Sequence, residues 1–158
     1  MRLVRIAAVV GGAGLIMAAA TPAALAGGNG AQTFTQHRHD FTRTHKGRNP
    51  CTGDRGMLTT TVNEVFHGTI NKTGSWFTGT VEGQFTFVPT DPAAIAYTGH
   101  FATWFGDENN LRNSVEHSTF NVHGVGTDGS RLTFHDNAQA VVNANGVVTV
   151  NFNHMRCG

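Results

Sequence analysis

The chain has 158 residues, with 11 Lys+Arg, 10 Asp+Glu and a formal net charge of +1. A near-neutral chain of this length is a single domain with at most a short appendage, and it lacks the excess of positive charge on which non-specific nucleic-acid binding depends. With two cysteines in all, it is not a disulfide-dense miniprotein that needs many bridges in place of a core.

Residues 1–26 have the pattern of an export signal. Arg2 and Arg5 form a short basic start, residues 6–20 are almost uninterruptedly apolar, and Ala24-Leu25-Ala26 puts small residues where a signal peptidase reads them. Cleavage is expected before Gly27. The apolar run falls short of the ~20 residues that span a bilayer, so no stable membrane insertion is expected after cleavage. Residues 27–32, rich in Gly, Ala, Asn and Gln, read as a disordered leader. Residues 33–158 read as one domain.

From residue 33 onwards the chain reads as strands, with Thr, Val and Phe abundant and Gly as punctuation. Residues 33–43 form a polar strand suited to a sheet edge. In residues 58–66, Leu58, Thr60, Val62, Glu64 and Phe66 share a face. In residues 77–87 the alternation is cleanest: Phe77, Val81, Phe85 and Phe87 fall on one side, Thr78, Glu82 and Thr86 on the other. Pro89 and Pro92 end that strand, because proline cannot donate to a sheet ladder. Further strands are expected at 96–105, 114–125, 131–143 and 147–156. About seven or eight sequential antiparallel strands joined by short turns predict an all-β fold. The expected architecture is an up-and-down barrel, with a small sandwich as the alternative.

Cys51 and Cys157 both follow the signal, in a compartment that would be oxidising, and are expected to form one disulfide.

Turn chemistry predicts a register for the C-terminal strands. A two-residue Asp128-Gly129 turn would pair Thr127 with Ser130. Val125 would then face Leu132, and Asn121 would face Asp136. A three-residue loop over residues 144–146 would pair Asn143 with Val147, Val142 with Val148 and Asp136 with His154. Asn121, Asp136 and His154 then make a row on one face, with His123 diagonal to it and Glu64 a further candidate member. A carboxylate that orients an imidazole is the arrangement a general base needs, so these residues form a candidate catalytic set for a hydrolase- or isomerase-like enzyme. The same row would serve equally as an inert polar contact at a barrel mouth.

Two other constellations carry chemistry. His37 and His39 share a strand face and can contribute part of a metal site, though they need further ligands. Trp76, Phe77, Tyr97, Phe101, Trp104 and Phe105 concentrate in two neighbouring strands. They can line a cavity for a small apolar ligand, with His123 and Glu64 as polar groups. They can also be an ordinary packed core. No phosphate loop, nucleophile elbow or Cys-x-x-Cys pair occurs, and no cofactor is called for.

Several segments carry a family resemblance: Asn49-Pro50-Cys51-Thr52-Gly53, Phe85-Thr86-Phe87-Val88-Pro89, Tyr97-Thr98-Gly99-His100-Phe101, Ser118-Thr119-Phe120-Asn121-Val122, Asp128-Gly129-Ser130-Arg131-Leu132 and the terminal Arg156-Cys157-Gly158. Together they resemble small exported actinobacterial proteins that carry no assigned activity. The resemblance implies a secreted location of Gram-positive type and paired cysteines, and supplies no catalytic residues. Gly74-Ser75-Trp76 with Thr78-Gly79-Thr80 is also loosely similar to the Trp-bearing strands of avidin-type and lipocalin-type barrels. The function expected from all of this is a non-enzymatic extracellular module that binds a small apolar ligand or a cell-surface or protein partner.

Overall fold

The computed structural model describes residues 30–110 and 112–158. The expected signal segment and residues 27–29 of the leader lie outside them.

Seven strands follow one another: β1 (Gln32–Arg48), β2 (Arg55–Asn71), β3 (Gly74–Pro89), β4 (Tyr97–Asn109), β5 (Ser114–Gly126), β6 (Arg131–Val142) and β7 (Val148–Cys157). They form one antiparallel sheet whose spatial order is the chain order. Period-two patterning places Leu58, Val62, Phe85 and Phe87 on one face of β2 and β3. Cross-strand pairs on that face include Leu58 with Phe87 and Thr60 with Phe85. The buried core gathers on this face from Phe85, Phe87, Tyr97, Val122, Leu132 and Phe134, with Leu58, Phe101 and Cys51 packed against it.

The sheet is strongly rolled. Flat, β1 and β6 would lie five strand spacings apart, roughly 24 Å. Arg43 and His45 of β1 nevertheless line the same cavity as Leu132 and Phe134 of β6. The roll does not close into the expected barrel. Among the described residues, β1 pairs only with β2 and β7 only with β6. A single sheet also replaces the sandwich alternative.

The seam is crossed covalently at one end. The turn after β1 carries Cys51, bonded to Cys157 at the end of β7, with the two Cα atoms 5.7 Å apart. The Cys51 Sγ lies 3.7 Å from the Thr133 carbonyl, and Gly158 exchanges two backbone hydrogen bonds with Thr133. A turn wedged into the seam therefore stands where a ladder would need two adjacent strands.

Bundled phenylalanines need space on the concave face, and glycine supplies it. Phe85, Gly99, Gly124 and Leu132 follow one another across β3 to β6. A Cβ on Gly124 would sit 2.9 Å from the Phe85 ring, closer than real contacts allow.

Two irregularities reset the register. Asp40 adopts φ 51°, a left-handed conformation that Asp tolerates better than most residues. Its N–H donates to Asn63 Oδ1 at 3.1 Å. The bulge here shifts pairing between Arg38 and Phe41, so Arg38 faces Glu64 and Phe41 faces Val62. Both therefore point to the concave side although they are three residues apart.

The second irregularity lies in β7. Asn143 and Val147 close the loop as expected, with a 2.9 Å bond from the Asn143 N–H to the Val147 carbonyl, and Val142 faces Val148. A shift between Val141 and Val142 then pairs Val141 with Val150, and Ala140 faces Asn151 rather than Val150. One extra residue reverses every following side chain. Phe152 consequently lies on the convex side, 43% exposed.

The β5–β6 turn also differs from expectation. The Gly126 N–H donates to the Ser130 carbonyl at 2.8 Å, and Gly129 alone has positive φ, 83°. A two-residue I′ turn needs positive φ at both central positions. With one such residue the chain forms a three-residue loop, and Val122 faces Phe134. The hydroxyl and N–H of Ser130 hold the Asp128 carboxyl below its ordinary pKa and fasten the loop.

Candidate functional site

The concave face holds a cavity of about 160 Å³. Its floor is aromatic and aliphatic: Phe85, Phe101, Phe120, Phe134, Val122 and Leu132. Phe120 connects the floor rings, with centroids 5.8 Å from Phe101 and 6.0 Å from Phe134. These side chains arrive from four strands because each occupies the inward parity of its strand.

One wall is polar and comes almost entirely from β1 and the turn that follows it. Arg38, Arg43, His45, Arg48 and Asn49 line it. Arg38 makes an ion pair with Glu64 at 3.2 Å. With its partners 45% and 22% exposed, such a pair contributes at most about 1 kcal/mol. The Arg38 and Arg43 guanidiniums lie 4.8 and 5.5 Å from the centroid of the Phe41 ring, within cation–π range.

Asn49 is 3% exposed. Its Oδ1 accepts from the Cys51 and Thr52 N–H groups at 2.9 and 3.3 Å, which turns its amide nitrogen away from that turn. Asn49 Nδ2 and both ring nitrogens of His45 are buried without hydrogen-bond partners. Buried polar atoms are normally satisfied, so three on one cavity wall make this the chemically least complete region of the described residues. Asp136 Oδ1 is also buried and unpartnered.

The Asn121–Asp136–His154 row is not assembled. The three-residue loop makes Asn121 face His135 rather than Asp136. The β7 bulge makes His154 face Asn137. Asp136 lies on the concave side, in line with Phe120 and Met155, while Asn121 and His154 occupy the convex side. Asn121 Oδ1 instead lies 2.6 Å from His135 Nδ1.

The aromatic set divides by parity. Phe101 and Glu64 line the cavity. Tyr97 is buried in the adjoining core, with its hydroxyl 3.4 Å from Ser130 Oγ. Phe77 and Phe105 are on the concave face at the other end of the sheet, in a row with Phe34 and Phe66; Phe66 lies 5.8 Å from Phe77 and 6.0 Å from Phe105. Asp107, paired across the sheet with Phe77 and Glu116, belongs to that end, and burial raises its pKa. Trp76, Trp104 and His123 are on the convex face. Trp104 packs on His117 with centroids 4.4 Å apart, and His123 lies against His100 at 5.4 Å.

His37 and His39 do come together, their rings stacked at 6.3 Å. Among the described residues, however, no group of three or more His, Cys, Asp or Glu side chains is placed to hold a metal ion.

The sequence reading missed Arg43, His45 and Asn49 as wall residues, and Phe85, Phe120 and Phe134 as floor. The phenylalanines were accessible through strand parity. Arg38, Arg43, Lys46, Arg48 and Arg55 crowd one stretch of the chain, but their spacing alone does not say which of them face inward.

No protein-family model matches the chain, and comparison with curated proteins and with solved structures finds no match.

Proposed function

We propose that this protein is an exported, non-enzymatic binding module that holds a small apolar ligand in the cavity of its rolled sheet. The observation that carries the reading is the floor of six apolar side chains from β3 to β6 facing a single space. A cavity of about 160 Å³ is close to the ~150 Å³ apolar cavity known to admit benzene. The size therefore suits one aromatic ring or a short alkyl chain. A ten-atom ligand is expected to gain roughly 4–6 kcal/mol, a Kd between about 1 mM and about 40 μM. Export of Gram-positive type, as in the actinobacterial proteins the chain resembles, belongs to the same proposal, and the Cys51–Cys157 bridge supports it because disulfides persist in oxidising compartments.

The test is calorimetric titration of the full chain with indole, alongside Val122→Trp, which fills the cavity from its floor. Saturable binding by the native protein and none by the folded Val122→Trp variant is the expected pair of results. Indole binding that survives in Val122→Trp would place the ligand elsewhere and overturn the assignment.

A further inference from the structure

We infer that the natural ligand is an amphipathic acid: an aromatic ring or short alkyl chain bearing one carboxylate, with its apolar part on the phenylalanine floor and its acid group against Arg43, His45 and Asn49. This inference rests on the cavity reading above and adds the chemistry of the ligand's polar end.

The charge of the wall is the first argument. Arg38 is already matched by Glu64 at 3.2 Å. Among the described residues no other ion pair forms, so Arg43 and Arg48 both line the cavity without an ion-pair partner, Arg43 with the Phe41 ring at 5.5 Å. A planar guanidinium presents donors in the geometry a carboxylate accepts.

The second argument is independent of charge. Asn49 Nδ2 is a donor with no acceptor, on a side chain only 3% exposed whose oxygen is held the other way by the Cys51 and Thr52 N–H groups. His45 adds a ring with both nitrogens buried and unpartnered, and in either neutral tautomer one of them is a donor. Asn49 Nδ2 and Arg43 are donors only, and a neutral His45 adds one donor and one acceptor nitrogen. An ionised carboxylate, which is acceptor-only, matches the donors of Arg43 and Asn49 and the one donor of His45.

The placement follows from the backbone. The Asp40 bulge puts the residues of β1 after it on the concave parity, so Arg43 faces Thr60 and His45 faces Leu58. The turn tied by Cys51 fixes Asn49 beside them. The donors are held by the edge strand and the disulfide-bearing turn, opposite the floor supplied by β3 to β6.

The experiment compares 3-phenylpropionate with its near-isosteric neutral amide, 3-phenylpropanamide, by calorimetry on the full chain at pH 7 in low salt. The acid is expected to bind at least about tenfold more tightly, with the preference shrinking in high salt because the interaction is ionic. Arg43→Met is expected to remove most of the acid's advantage over the amide, and Arg43→Lys to keep part of it. Retained indole binding shows that the variant is folded. Equal affinity for acid and amide in the native protein, or an equal loss of both in Arg43→Met, overturns the carboxylate assignment and leaves the apolar cavity standing. Binding of neither compound, together with no binding of indole, overturns both.

Discussion

Replacing both Cys51 and Cys157 with alanine removes a bridge between residues 106 positions apart. In the chain-entropy description, closing a loop of that size restricts the unfolded state by about 4.8 kcal/mol at 25 °C. Domains of this size are stable by only ~5–15 kcal/mol in total. The bridge also has a local role, because every residue of β7 is exposed and the strand pairs on one side only. Urea unfolding, followed by Trp fluorescence under non-reducing conditions, reads the effect. With a slope of roughly 1.5–2 kcal/mol per M for a domain of this length, the midpoint should fall by about 2–3 M. Amide exchange should show β7 opening before β3 and β4. A midpoint shift below ~0.5 M, or exchange in β7 as slow as in β3, would refute the view that sulfur takes the place of a ladder at this seam.

Phe134, 4% exposed and in edge contact with Phe120, should lose about 3–5 kcal/mol as Phe134→Ala; urea unfolding measures this, and the enlarged cavity should accept bulkier ligands by calorimetry. Gly129→Ala, at φ 83° with open space around the added methyl, should lose about 1–2 kcal/mol through backbone conformation alone; a cost close to zero in thermal unfolding would count against the assigned loop. For Asp107, burial raises the carboxyl pKa from its ordinary 3.8, so its protonated form favours the folded state. That contribution is complete below the ordinary value and is lost as pH rises through the raised one. Asp107→Asn should therefore be more stable than the native chain at pH 7, with the difference shrinking towards pH 3 in a series of melting curves.

Strand parity was legible in the residues alone. Alternating apolar and Thr-rich positions in β2 and β3 fix which side chains point inward, because successive Cβ atoms leave opposite faces of a strand. The same rule, applied strictly, already separates Phe77, Tyr97, Phe101 and Phe105 from Trp76 and Trp104, and the structure divides them along that line. The number of strands and their consecutive order also followed from turn residues and spacing.

Register and closure were decided elsewhere. A bulge at Asp40, a three-residue loop at Gly129 and an extra residue near Thr149 each move side chains by one position, and one position is a change of face. These shifts dissolved the Asn121–Asp136–His154 row and placed Arg38, Phe41 and Arg43 on one wall. Local sequence determines alternation because that is a property of a single strand. Which residue stands opposite which, and whether the two edges meet, depends on the whole rolled sheet and on the Cys51 turn that occupies its seam, so only the tertiary structure could set them.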